Sequence, residues 1–165
     1  MRLLVGPLGL LPGFVPERPS HLVTVASRDR PVPAAPWAAA QLHLTFHDIT
    51  APTPGLCAPG RDDVEALLAL GRSWTGERPL AVLCEFGISR SPAIAFILAC
   101  QARPDLAPDA IARGLRAAAP ESTPNRLLIG LADAALGRDG AMVAAAAAIG
   151  RGAEYSGPAS FRLDL

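Results

Sequence analysis

The sequence has no lysine, and its fifteen basic residues, all of them arginine, are balanced by fifteen acidic residues. A net charge of zero excludes a global electrostatic field that would draw the chain to nucleic acid or to an anionic membrane. Three cysteines are too few for a disulfide framework, so we expect a reducing, cytoplasmic setting. No apolar run reaches the length of a membrane-spanning helix. We therefore expect neither nucleic acid nor a membrane among the partners.

Half of the 165 residues are hydrophobic, which predicts one folded domain with a real core. The apolar opening segment is repeatedly interrupted by Gly and Pro, so we do not interpret it as a signal peptide. The abundance of Ala, Gly, Pro and Arg is typical of a GC-rich bacterial genome. We expect residues 1–150 to form a single domain and residues 151–165 to form a loosely packed tail.

Short apolar runs separated by turn residues dominate the first half of the chain. They predict strands over Arg2–Val5, Leu22–Val25, Leu42–Phe46 and Leu80–Leu83. Helical spacing and end signals predict helices over Asp62–Trp74, Ser91–Ala102, Pro108–Ala118, Thr123–Gly137 with Thr123 as the N-cap, and Ala141–Ile149. The expected fold class is therefore α/β, with a small, mostly parallel central sheet of four to five strands flanked by helices, and a helical C-terminal half.

A turn between the fourth strand and the following helix carries the candidate chemistry. Unpaired backbone N–H groups at such a turn form an anion site, and the guanidinium of Arg90 matches two oxygens of a phosphoryl group. The same surroundings stabilise the thiolate of Cys84, which becomes a nucleophile, and Ser91 can donate a hydrogen bond to its sulfur. Gly87 allows the tight bend. The expected phosphate-binding residues, which would also bind a free phosphate or sulfate ion, are Glu85, Phe86, Gly87, Ile88, Ser89 and Arg90.

Cys84, Gly87, Arg90 and Ser91 together resemble the His-Cys-x-x-Gly-x-x-Arg-Ser/Thr signature of the protein tyrosine phosphatase superfamily, in its dual-specificity-like branch. Leu83 stands where that family has a histidine, which there helps to orient and tune the cysteine. The resemblance extends from about residue 42 to residue 136. It includes the pair Pro124-Asn125, which implies that Asn125 supports the loop from behind.

The resemblance implies a phosphatase that hydrolyses phosphomonoesters through a phosphocysteine on Cys84, without a cofactor or a metal. The implied partner is a phosphorylated protein, foremost one carrying phosphotyrosine, or a small phosphomonoester. The family places its general acid on the loop after the third strand, which here contains Asp48. Asp48 could instead only begin a turn, and Asp62 and Asp63 are the alternative acids, although their place at a helix start explains them without catalysis.

Three other interpretations stay open. Leu83 and the unproven acid also fit a pseudophosphatase that binds phosphoprotein or an oxyanion without turnover. The run Cys84-Glu85-Phe86 also begins the loop of cell-cycle phosphatases with a rhodanese-like fold. Low-molecular-weight phosphatases share the Arg-Ser-Pro ending, but their loop opens the chain.

Glu85, the other two cysteines and two histidines are further candidate functional residues. The carboxylate of Glu85, if it faces the pocket mouth, would disfavour phosphoinositides with several phosphates. Cys57 and Cys100 are expected to be small hydrophobic residues, with redox pairing to Cys84 as the alternative. The only nearby histidines, His43 and His47, lack further ligands at metal-binding spacing, so we predict no metal site.

Overall fold

The computed structural model describes residues 1–28, 30–32 and 34–165. Within these ranges five strands form one sheet in the order β3-β2-β4-β1-β5. The strands are β1 (Arg2–Pro7), β2 (His21–Ala26), β3 (Ala40–Thr45), β4 (Leu80–Cys84) and β5 (Phe161–Asp164). Strands β1 to β4 run parallel to one another, and β5 is antiparallel to β1. The prediction of a mostly parallel sheet of four to five strands flanked by helices is confirmed.

In the described ranges, six α-helices surround the sheet, and five of them lie within two or three residues of their predicted bounds. They are α1 (Leu11–Phe14), α2 (Arg61–Ser73), α3 (Arg90–Ala102), α4 (Pro108–Ala118), α5 (Arg126–Ala135) and α6 (Ala141–Ala148). The sequence did not predict α1, which lies between two short 3-10 turns in a segment rich in Gly and Pro.

Strand β4 occupies the centre of the sheet, and all five of its residues are buried. Its last residue, Cys84, pairs with Val25 on β2 and with Pro7 on β1. The carboxyl ends of three parallel strands therefore meet at Cys84, where open α/β sheets place their ligands. Helix α3 leaves this point, and every residue from Arg90 to Cys100 is buried.

The two faces of the sheet have separate cores. Val82 and Cys84 on β4 contribute to the large core, which α2 to α6 cover. Leu83 points to the opposite face, into a smaller core that includes Phe14 of α1. Because strand residues alternate between faces, Leu83 lies on the other side of the sheet from its neighbour Cys84.

The C-terminal segment differs from the loose tail that we expected. It ends in β5, which pairs with β1 from Arg2↔Asp164 to Val5↔Phe161, and Leu163 is buried in the main core. A four-residue edge strand has too little periodicity to be recognised from sequence. Its stability depends on a partner strand at the other end of the chain.

The start of α5 also differs from its prediction. Asn125, not Thr123, is the N-cap, because its side-chain oxygen accepts a hydrogen bond from the Leu128 N–H at 3.0 Å. The Thr123 hydroxyl instead accepts a hydrogen bond from the Gly152 N–H at 3.0 Å. In the described part of the chain, no helix is both long enough and apolar enough to cross a membrane.

Candidate active site

Cys84 is a buried cysteine whose sulfur lies at the end of β4 and beneath the start of α3. The Gly87 N–H donates a hydrogen bond to this sulfur at 3.1 Å, and the Ser91 hydroxyl oxygen lies 3.1 Å from it. The Ser91 oxygen is 3.5 Å from the carbonyl of Gly6, so its single proton has a closer partner in the sulfur. The Gly87 N–H and the Ser91 hydroxyl therefore both contact the sulfur.

Gly87 is required by the loop for two reasons. Its φ is +78°, a conformation that favours glycine. A Cβ atom at this position would also lie 2.9 Å from the Pro7 nitrogen, closer than real side chains approach backbone. The loop therefore packs against the end of β1, which holds the Gly87 N–H toward the sulfur.

Arg90 is the buried cation of the loop, with 2 % of its surface exposed. One terminal nitrogen donates to the Phe46 carbonyl at 3.0 Å, and the other forms an ion pair with the carboxylate of Glu85. The third guanidinium nitrogen, Nε, is buried and has no hydrogen-bond partner among the described residues. A buried donor without a partner costs about 1–3 kcal/mol, so a bound anion would relieve an existing deficit.

Glu85 is bound to Arg90 and does not line the cavity that contains Cys84. It also accepts from the Ser27 hydroxyl at 3.3 Å and lies 3.4 Å from the guanidinium of Arg30. Burial by itself raises the pKa of Glu85, but the hydrogen bond and charge of Arg90, with help from Ser27, outweigh it and lower that pKa overall. Glu85 is therefore an ionised partner of the cation, and the condition on which the argument against phosphoinositides depended, a carboxylate at the pocket mouth, is not met.

Asp48 lies just after β3 and contacts the loop, as the sequence predicted. Its Oδ1 accepts hydrogen bonds from the Ser89 hydroxyl at 2.7 Å and from the Asn125 amide at 2.8 Å. Its Oδ2 has no hydrogen-bond partner in the ranges that the structure covers. One carboxylate oxygen is thus anchored while the other is left for a ligand.

Asn125 connects the loop, Asp48 and α5. Its side-chain amide also donates to the Ile49 carbonyl at 3.2 Å, and its backbone N–H donates to the Ser89 carbonyl at 3.2 Å. The adjacent Thr123 N–H donates to the Ile88 carbonyl at 2.8 Å. Asn125 therefore braces the loop through its backbone and holds Asp48 through its side chain.

Some of these residues line one cavity of about 330 Å³. Its lining consists of Asp48, Cys84, Phe86, Ile88, Ser89, Arg90 and Tyr155. Tyr155 is the one member that the sequence did not predict. It is the only tyrosine of the chain, but it lies in the segment that we expected to be a loose tail.

The other candidates do not line this cavity. Asp63 accepts a hydrogen bond from the Gly60 N–H at 2.8 Å and so stabilises the start of α2, next to Asp62. Cys57 is exposed, and burial raises the pKa of the Cys100 thiol to about 12. Among the described residues, no three His, Cys, Asp or Glu side chains are grouped as a metal site would require.

The fold resembles solved dual-specificity phosphatases. Human DUSP28 superimposes with a TM-score of 0.62 at 20% identity, over 83% of this chain and 94% of that one. A mouse protein assigned to the dual specificity phosphatases, solved as a zinc tungstate complex, gives 0.59 at 22% identity, over 89% and 86%. PTPMT1 in complex with PI(5)P gives 0.61 at 15% identity, over 83% and 94%.

No protein-family model and no curated protein matches the chain in sequence. Similarity at such low identity establishes the fold and leaves the activity to be argued from the site. The arrangement of sheet and helices favours this fold over the rhodanese-like alternative. The chain has the fold of these solved dual-specificity phosphatases.

Proposed function

We propose that the chain is a cysteine-dependent phosphatase that hydrolyses phosphomonoesters, foremost protein phosphotyrosine, through a phosphocysteine on Cys84. The observation that carries this proposal is that Arg90 lines the same cavity as Cys84, while its buried Nε has no hydrogen-bond partner among the described residues. A phosphoryl oxygen would accept the missing hydrogen bond, and the phosphorus would then lie close to the nucleophile.

In the first step, the sulfur of Cys84 attacks phosphorus and the bond between phosphorus and the ester oxygen breaks. Asp48 donates its proton from Oδ2 to the departing oxygen, while Ser89 and Asn125 hold Oδ1 in place. Nε of Arg90 and the loop N–H groups bind the equatorial oxygens as charge redistributes.

In the second step, water attacks phosphorus and the bond between sulfur and phosphorus breaks. The Asp48 carboxylate accepts a proton from this water, which restores the acid and releases inorganic phosphate. Ser91, whose hydroxyl oxygen lies 3.1 Å from the sulfur, donates a hydrogen bond to the departing thiolate.

Two structural relatives support an anion in the loop. One was solved with tungstate, an oxyanion with the tetrahedral shape of phosphate, and another with a phosphoinositide. A small phosphomonoester or a free phosphate or sulfate ion is therefore a reasonable ligand for residues 85–90 of this chain.

One observation favours a second function, the binding of phosphoprotein or an oxyanion without turnover. Glu85 occupies a terminal nitrogen of Arg90 and cancels much of its charge. The guanidinium therefore offers less positive charge to stabilise the transition state of phosphoryl transfer, which would lower turnover. Leu83, buried in the second core, also supplies no polar contact to Cys84.

Hydrolysis of p-nitrophenyl phosphate distinguishes the two functions. We expect turnover by the unmodified chain, none by Cys84→Ser, and a loss of about 10²–10⁴ in kcat for Asp48→Asn. Cys57→Ser is the matched control, because Cys57 is exposed and does not line the cavity. Radiolabelled phosphate on Cys84 after acid quenching would support the covalent intermediate. Phosphate binding without turnover in the unmodified chain would support the binding function instead.

A further inference from the structure

We infer that Tyr155 and Phe86 form an aromatic clamp that binds the ring of an aryl phosphate at the mouth of the catalytic cavity. This inference rests on the proposed function and adds a residue that determines its specificity. Tyr155 belongs to the C-terminal segment, outside the loop and outside the acid-bearing turn. The ligand class is a phosphate monoester, or a phosphonate, with an aromatic substituent.

The first support is the exposure of two aromatic rings at one place. Phe86 is 58 % exposed and Tyr155 is 47 % exposed, and both line the cavity of Cys84. They are the two most exposed large hydrophobic residues in the described part of the chain. Exposed apolar side chains that cluster beside a cavity mark a binding surface.

The second support is that Tyr155 is held in place by its neighbours. The Ala153 N–H donates to the Pro120 carbonyl at 2.9 Å, and the Ser156 hydroxyl donates to the carboxylate of Glu121. These contacts attach the segment on both sides of Tyr155 to the chain that precedes α5. The Thr123 N–H then connects that chain to the Ile88 carbonyl of the catalytic loop at 2.8 Å.

Gly152 shows how closely the segment that carries Tyr155 approaches the chain that precedes α5. A Cβ atom on Gly152 would lie 2.3 Å from the Glu121 carbonyl oxygen, and this oxygen belongs to backbone that cannot rotate away. The Gly152 N–H meanwhile donates to the Thr123 hydroxyl at 3.0 Å. The position of Tyr155 is therefore built into the fold, although the segment has no regular secondary structure there.

Ring contacts explain why this arrangement selects for aryl groups. Contact between two aromatic rings stabilises a complex beyond the effect of buried area alone. This extra attraction tightens the binding of an aryl ligand about two- to twelvefold. An alkyl phosphate places no ring between Phe86 and Tyr155, so it gains none of this attraction. The clamp thus favours phosphotyrosine over phosphoserine by binding as well as by leaving-group chemistry.

Phosphonates test the clamp without turnover. In the Cys84→Ser chain, calorimetry gives the dissociation constants of phenylphosphonate and methylphosphonate, and their ratio reports the ring contribution. We expect Tyr155→Ala to lower the preference for phenylphosphonate about two- to twelvefold. Tyr155→Phe keeps the ring and should restore the preference. Gly152→Ala should lower it by displacing the segment.

Val143→Ala is the matched control, since Val143 is 43 % exposed on α6 and lies outside the cavity lining. A phenyl preference that Tyr155→Ala leaves unchanged overturns the clamp, and so does the lack of any phenyl preference or of any phosphonate binding. Failure of the proposed function is a separate result. It is the absence of p-nitrophenyl phosphate turnover by the unmodified chain, while the Tyr155-dependent preference persists.

Discussion

Replacing Glu85 by glutamine tests how the buried cation of the loop is used. The side chain of Arg90 is 3% exposed and that of Glu85 is 13% exposed, so water screens their ion pair weakly. Glutamine has almost the same shape and can still accept the hydrogen bond from the guanidinium. The substitution therefore removes one negative charge and little else.

The expected loss of stability follows from the burial of the pair. Removing one partner from a buried ion pair costs about 3–5 kcal/mol, because the remaining charge is uncompensated. The hydrogen bond that glutamine retains and the partial exposure of Glu85 reduce this loss, so we expect Glu85→Gln to lower the free energy of unfolding by about 1–3 kcal/mol.

The same substitution should strengthen anion binding. Glu85 competes for a terminal nitrogen of Arg90, and a hydrogen bond to a charged group contributes about 1.5–3 kcal/mol. A neutral amide competes for that nitrogen less strongly than a carboxylate does, so Glu85→Gln should tighten the binding of inorganic phosphate about tenfold, which corresponds to about 1.4 kcal/mol. Loss of stability and gain of affinity should thus occur in one variant.

The stability difference should depend on pH. Burial raises the pKa of Glu85, but the hydrogen bond and charge of Arg90 outweigh it, so the folded pKa lies below its ordinary value of 4.5. The carboxylate therefore contributes stability that is fully present above 4.5 and is lost as the pH falls through the folded pKa. The gap between Glu85→Gln and the unmodified chain should shrink below that pH.

Urea unfolding followed by tryptophan fluorescence measures the free energy at pH 7 and below pH 4, and calorimetry measures phosphate affinity at pH 7. Glu65→Gln is the control, because Glu65 forms an exposed ion pair with Arg61 at 3.8 Å and should change neither quantity measurably. Weaker phosphate binding by Glu85→Gln would refute the competition, since Glu85 would then hold Arg90 in a productive position. Unchanged stability would refute the buried pair.

Three other substitutions test the loop and its support. Gly87→Ala should destabilise the chain by more than about 1 kcal/mol in thermal unfolding and abolish turnover, because φ is +78° and the new Cβ would meet Pro7; a fully active variant would contradict this. Asn125→Ala should lose about 1 kcal/mol from the cap of α5 and also lower kcat by releasing Asp48, and a variant with unchanged kcat would show that Asp48 does not depend on the Asn125 amide. Ser91→Ala should slow the second step, which stopped-flow assays would detect as a burst of p-nitrophenol; a slower first step without a burst would assign Ser91 to a different role.

Much of the catalytic loop was predictable because its signals are local. A continuous apolar run predicted β4, and a glycine followed by Arg-Ser-Pro predicted the turn into α3. The position of Asp48 was predictable from the resemblance. Its anchoring was not, because the Asn125 amide that binds it lies 77 residues further along the chain.

The amino-acid sequence by itself determined the order of the first four strands and of helices α2 to α6, and the place of the loop between β4 and α3. These features depend on residues within a few positions of each other, which turn preferences and apolar periodicity describe well. The tertiary structure decided that Glu85 binds Arg90 and that Tyr155 reaches the cavity. The Glu85 side chain had two possible directions, and Tyr155 is placed by hydrogen bonds between distant segments and by a short edge strand that is stable only beside β1.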